Sequence, residues 1–158
     1  VETTYRIIDT HRITNLAGAP TAFRLMIAAG PEVAAKVKGR LRAINSAGEP
    51  LNPEIVRWCA EHLAAPIHDH YGQTENGIMV ANHHRLRHSV KPGSAGFPVP
   101  GFRIVVLDEA SNELPPNVPG VLAVDMARSP LMWFTGYWQQ ETPAIGGGYY
   151  RTGDTVEL

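Results

Sequence analysis

The stretch "LRAINSAGEPLNPEIVRWCAEHLAAPIHDHYGQTEN", residues 41–76, decides the fold. Its first six residues read as a strand that runs out into a loop of small residues, "SAGEPL" (46–51). Asn52, Pro53 and Glu54 then supply a cap, a first-turn proline and an acid at the positive end of a helix. Ile55, Val56, Cys59, Ala60 and Leu63 fall on one face of that helix. Pro66 and Ile67 lead into a second extended run, which ends in "HDHYGQTEN", residues 68–76. Strand, helix and strand in that order predict a parallel sheet with a covering helix, since parallel neighbours need a long crossover between them.

Upstream, "PTAFRLMIAA" (20–29) opens on a proline suited to a first helical turn and stops at Gly30-Pro31, after which "EVAAKV" starts a second short helix. No opening strand is evident before it. From about residue 91 glycine and proline become dense, and the apolar runs shorten to strand length: "FRIVVLD" (102–108), "GVLAVDM" (120–126) and "TVEL" (155–158). The connection "EASNELPPNVP" carries Pro115, Pro116 and Pro119, which forbid a regular ladder. The expected fold class is therefore α/β. A strand-helix-strand lobe with a parallel sheet over residues 1–90 is followed by a β-rich, distorted barrel-like lobe over 91–158, and both read as partial.

With 44% apolar and 18% charged residues the chain has the composition of a folded globular protein. Fourteen basic against fifteen acidic residues give a formal charge of −1, so no overall field recruits nucleic acid or an anionic membrane. No apolar run approaches the ~18 residues of a membrane span, and a cytoplasmic setting is expected. The single Cys59 sits in the apolar helical pattern and is expected to act as a small hydrophobe.

The histidine-rich run admits three readings. His68 and His70, two apart on a strand, with His83, His84 and His88 later, would suit zinc or iron. Against this, the chain has no Glu-x-x-His or Cys-x-x-Cys partner, and Arg85 and Arg87 interrupt the later histidines. Taken singly, the histidines are strand residues, Tyr71 is a core aromatic, and Thr74-Glu75 caps a helix. The third reading joins "HDHYGQTEN" to "SAGEPL" and to "YYRTGD" (149–154), taken as a tight glycine turn, as three small-residue loops lining one crevice at strand ends.

"YGQTE", with "SAGEPL" about twenty residues before it and "YRTGD" about eighty after, resembles the adenylate-forming superfamily: acyl-CoA synthetases, luciferases and the adenylation domains of peptide synthetases. The text "KPGSAGFPVPGFRIVVLDEASNELPPNVPG" (91–120) is similar to short- and medium-chain acyl-CoA synthetases. The resemblance implies a piece of a longer enzyme's large AMP-binding domain. That enzyme would use ATP to turn a carboxylic acid into an acyl-adenylate, then pass the acyl group to a thiol such as coenzyme A.

By similarity Tyr71 stacks on adenine, Asp69 accepts from the adenine amino group, and the backbone of Gly48, Glu49 and Pro50 lines the base. Thr74 donates to the α-phosphate, Glu75 holds Mg²⁺, and Asp154 takes the ribose hydroxyls. Gly72 stands where acetate-specific relatives carry Trp, and Ala47 is also small, so the resemblance implies an acid larger than acetate. The phosphate-binding loop and the C-terminal domain with its catalytic lysine would lie outside residues 1–158. The piece alone is thus expected to be inactive and, with surfaces of a larger domain exposed, to self-associate. Alternatives are an adenylation domain for an amino or aryl acid and a nucleotide-binding interaction module without chemistry.

Overall fold

A computed structural model describes residues 1–158. The chain forms two compact units, one of Val1–Gly72 with Val80–Phe97 and the other of Gln73–Met79 with Pro98–Leu158.

The first unit begins with helix α1 (Glu2–Thr10), strand β1 (Asn15–Gly18) and helices α2 (Pro20–Ala28) and α3 (Pro31–Ala35). Proline occupies the first turn of α2 and of α3, where its missing N–H costs nothing. Strand β2 (Ala43–Ser46), helix α4 (Pro53–Trp58) and strand β3 (Ile67–Gln73) are the predicted strand-helix-strand. Asn52 caps α4 by accepting from the Glu54 N–H at 2.8 Å. The helix continues as a π-helical turn, Cys59–Leu63, and stops at Ala64 in the left-handed conformation. Ile55, Cys59 and Leu63, four apart, all reach the core, while Ala60 stays exposed.

β1 pairs in parallel with β2 (Leu16 opposite Ile44), and β2 with β3 (Ile44 opposite Ile67, Ser46 opposite Asp69). Strands β4 (Gly77–Ala81) and β5 (Phe97–Pro98) complete the order β1-β2-β3-β4-β5. The link from β3 to β4 is only Thr74–Asn76, too short for anything but a hairpin, so the sheet is mixed. This corrects the helix-cap reading of Thr74-Glu75: no helix follows them. β1 is the opening strand that the sequence did not disclose.

Core residues under the parallel strands include Phe23, Met26, Ile44, Ile55, Leu63 and Ile67, with Tyr5 and Ile8 of α1. The Tyr5 hydroxyl donates to the Met26 carbonyl at 3.0 Å, which satisfies a phenol otherwise stranded among hydrocarbon. Burial pushes that phenol up to about 12 and the Cys59 thiol up to about 12. Cys59 is therefore the small hydrophobe expected of it.

In the second unit, strands β6 (Ile104–Leu107), β7 (Gly120–Asp125), β8 (Ile145–Gly146) and β9 (Tyr149–Val156) form an antiparallel sheet of order β6-β7-β9-β8. All four side chains of β6 are buried. "YYRTGD" is not a chain reversal but the body of β9. Val121 faces Thr155 and Ala123 faces Arg151, so Leu122 opposes the three residues between them and β9 bulges there. Gly153, at φ +83, makes that bulge possible, and the Thr152 hydroxyl ties it to the Leu122 carbonyl at 2.9 Å.

Candidate functional site

In the first unit Ser46, the last residue of β2, stands opposite Asp69 of β3, and the chain leaves β2 through Ala47, Gly48, Glu49 and Pro50. Gly48 is exposed with φ +91, a conformation that L side chains rarely adopt, so the loop turns back at that point. The Glu49 side chain faces away from β3: it accepts from the Thr21 hydroxyl at 2.8 and 2.9 Å and from Arg24 at 2.7 Å. These bonds hold its carboxyl below the usual range, the Thr21 hydroxyl most of all. The carboxylate thus clamps the loop to α2.

The loop returns to β3 at Leu51, whose N–H donates to Asp69 Oδ2 at 3.4 Å. The other carboxylate oxygen, Oδ1, is buried without a hydrogen-bond partner. Burial keeps this carboxyl above its ordinary value, against the pull of the Leu51 and His70 N–H groups. Asp69 lines a recess of about 270 Å³ together with Leu51, Val56, Ile67, Asn82 and Lys91. Tyr71 follows two residues on, half-buried on the same side of the alternating strand. Gly72 closes this unit's share of β3.

The histidines turn to one another. His68 and His84 stack with ring centroids 3.9 Å apart, and His70 meets His84 edge-on at 6.5 Å. His68 Nδ1 lies 3.0 Å from the Asn82 carbonyl, and His84 Nε2 lies 2.8 Å from Asn45 Oδ1. Burial is the first cause that lowers the affinity of all three rings for a proton, and mutual repulsion adds to it. No three His, Cys, Asp or Glu side chains converge in a geometry that would hold a metal ion.

In the second unit Thr74 is exposed at the head of the link, and Glu75 beside it accepts a short hydrogen bond from the Tyr137 hydroxyl. That bond lowers the carboxyl and raises the phenol. Gln73, the preceding residue, joins three groups of β9. It accepts from the Tyr150 hydroxyl at 2.7 Å, and its Nε2 donates to the Thr152 carbonyl at 3.0 Å and to Asp154 Oδ2 at 3.3 Å. The bulge places Asp154 in reach of this contact, and its own N–H donates to the Thr152 hydroxyl at 3.1 Å.

The structure therefore groups Ala47–Pro50 with Asp69 in one unit, and links Asp154 to Gln73 and Glu75 to Tyr137 in the other. Sequence reasoning passed over Gln73, although it stands inside "YGQTE". It also passed over Tyr137, whose only signal was the aromatic run "WFTGYW" (133–138).

A family model described as "AMP-binding enzyme" matches residues 1–138. The chain belongs to this family. It is 37% identical over 161 residues to an acetyl-coenzyme A synthetase of Bacillus subtilis, covering 99% of this chain and 28% of that protein. It is also 37% identical to 4-hydroxybutyrate–CoA ligase 1 of Metallosphaera sedula, over 93% of this chain and 26% of the ligase. Among solved structures, a Brucella canis acyl-CoA synthetase superposes with TM-score 0.97 at 66% identity, over 99% of this chain and 29% of its own. A benzoate CoA ligase from Burkholderia xenovorans follows at 0.83 and 30%, over 98% and 31%. The chain of this AMP-binding family member thus spans under a third of the length of these relatives.

Proposed function

We propose that the whole protein is an ATP-dependent acid–thiol ligase. A carboxylate displaces pyrophosphate from the α-phosphate of ATP to give an acyl-adenylate, and a thiol, coenzyme A by analogy with the named relatives, then takes the acyl group and releases AMP. The observation that carries the nucleotide half of this reading is Asp69. It is a carboxylate of β3 with one oxygen held by the Leu51 amide and the other buried without a partner, set beside the glycine-turned loop that follows β2. An acceptor kept in this state suits a donor such as the adenine amino group.

In this reading Tyr71 offers the flat face for the base and the Gly48–Pro50 backbone lines it. Thr74 donates to the α-phosphate, and Asp154, braced by Gln73, accepts from the ribose hydroxyls. Glu75 would hold Mg²⁺; a single ionised carboxylate, kept ionised by the Tyr137 hydroxyl, fits an ion that commonly binds one or two carboxylates plus substrate phosphates. When bound, the ion would offset charge on the phosphates. Ala47 and Gly72 leave the acyl side short of bulk, so the acid is larger than acetate.

We further propose that residues 1–158 alone self-associate. Trp133 and Trp138, 80% and 85% exposed, are the support for this, and light scattering on a sizing column is the check. The main test is acid-dependent pyrophosphate release from ATP by the intact protein, followed by thiol-dependent AMP release. Activity with 4-hydroxybutyrate or benzoate above that with acetate is expected. Binding of AMP without any acid-dependent pyrophosphate would leave a nucleotide-binding module in place of the ligase.

A further inference from the structure

Two residues that line the same recess each carry an oxygen in the same state. Asn82, just beyond β4, is 1% exposed, and its Oδ1 is buried without a partner, as is Asp69 Oδ1. The two residues are bonded to each other through the backbone, the Asn82 N–H donating to the Asp69 carbonyl at 3.0 Å. The orientation of the Asn82 amide is fixed: its Nδ2 donates to the Ser94 carbonyl at 2.6 Å. The flipped amide would set two oxygens against each other at that distance. Oδ1 is therefore the atom left over, and Asn82 lines the recess with Asp69, Leu51 and Ser94.

A buried acceptor without a donor is costly, and two such acceptors on directly bonded residues of one recess point to a ligand group with two N–H bonds. We propose that Asn82 is a specificity-determining residue for the nucleotide: its Oδ1 accepts the second hydrogen of the 6-amino group whose first hydrogen goes to Asp69. This rests on the nucleotide reading above and extends it. An amino group on an aromatic ring holds its two N–H bonds in the ring plane, diverging by about 120°, so two separate acceptors are needed to satisfy both. A neutral amide oxygen serves better here than a second carboxylate, which would face the charge of Asp69 in a desolvated site. A 6-oxo base would present an oxygen to two acceptors and be rejected.

The test is calorimetric binding of AMP, N6-methyl-AMP and IMP to the intact protein. Methylation replaces the N–H aimed at Asn82 Oδ1 with a methyl group pressed against that oxygen, so loss on methylation reports how close the oxygen sits to the amino group. AMP is expected to bind about tenfold more tightly than N6-methyl-AMP, and IMP more weakly still. In Asn82→Leu the AMP to N6-methyl-AMP ratio falls to about one. If the leucine variant does not fold, Asn82→Ser, which stays polar but withdraws the oxygen, gives the same collapse. Equal binding of AMP and N6-methyl-AMP by the unaltered protein overturns the role of Asn82 while the nucleotide reading stands. So does a tenfold ratio that survives in the folded Asn82 variant. Binding of none of the three overturns both.

Discussion

The two units differ in what they do with buried acceptors. In the first, Asp69, Asn82 and Ser46 each keep a buried oxygen without a partner, and His68 stacks on His84 while His70 meets it edge-on. In the second, Asn76 Nδ2 is likewise buried without a partner, but the charged groups and hydroxyls satisfy one another. Arg103 meets Glu113 through two bonds of 2.6 Å and Asp125 at 3.0 Å, the Tyr149 hydroxyl donates to Glu113 at 2.9 Å, and Gln73 joins Tyr150 to Asp154. Unpaired buried acceptors weaken a fold and prepare it for a ligand; paired charges brace it and leave less to offer. On the proposed reading, the first unit offers unpaired acceptors to the base, and the second braces the residues assigned to ribose, phosphate and Mg²⁺.

If that contrast is right, the first unit depends on its apolar core to offset the strain of its unpaired oxygens. Phe23→Ala, at a side chain 2% exposed, should cost about 3–5 kcal/mol in denaturant unfolding. Cys59 reports the opening: its buried thiol should resist a thiol reagent in the native protein and react when this unit unfolds. Rapid labelling of Cys59 under native conditions would mean that the core does not close as described. The counterpart in the second unit is Arg103→Met, which leaves Asp125, 8% exposed, without its main charge partner. A loss of about 1–3 kcal/mol is expected, smaller because Arg103 is a third exposed and Arg128 remains near Asp125.

Acid should separate the units next. His68, His70 and His84 bind protons less readily folded than their ordinary value of 6.5, so the unfolded chain takes up protons first. Their contribution is complete above pH 6.5 and is lost as the pH falls below it. The groups facing the stack are Asn45, Asn82, His83, His88 and Arg42, none of which would stabilise an imidazolium by charge. Glu113 behaves differently: its carboxyl is held down to about 2 by Arg103 and the Tyr149 hydroxyl. Its contribution is therefore present above 4.5 and lost only as the pH drops toward 2, and salt should screen it because the group is exposed. Amide protection between pH 7 and 5 should fall in β2 and β3 and hold in β6 and β7. Equal loss in both would erase the distinction.

How far the sequence reached depended on whether the signal was local. The crossover of residues 43–73 was legible because Asn52, Pro53 and the spacing of Ile55, Cys59 and Leu63 are local statements. β1 was missed because Asn15–Gly18 holds one large apolar residue, and only its place beside β2 makes it a strand. The hairpin after Gln73 and the bulge at Gly153 were misread for the same reason: a Thr-Glu pair and a glycine are ambiguous until a partner strand lies opposite. Among the proposed site residues, side chains with evident chemistry, such as Asp69, Glu75 and Asp154, could be picked out as candidates. Gln73 and Asn82 could not, because an amide declares its role only through the groups around it.

The smallest expected effect falls on that first amide. Gln73→Leu deletes one acceptor and two donors while keeping the volume, and leaves the hydroxyl of Tyr150, which is 4% exposed, without its partner. The loss in stability should be about 0.5–1.5 kcal/mol, since a neutral hydrogen bond exchanged for water contributes little net. Its effect on binding should be selective. Asp154 loses the Gln73 contact, so a ligand that carries the ribose should weaken while adenine alone is unchanged. Asn82→Leu should weaken both ligands, because the base is common to them. If Gln73→Leu weakened adenine as much as AMP, Gln73 would belong with the recognising residues, and the division between a unit that reads and a unit that braces would not hold.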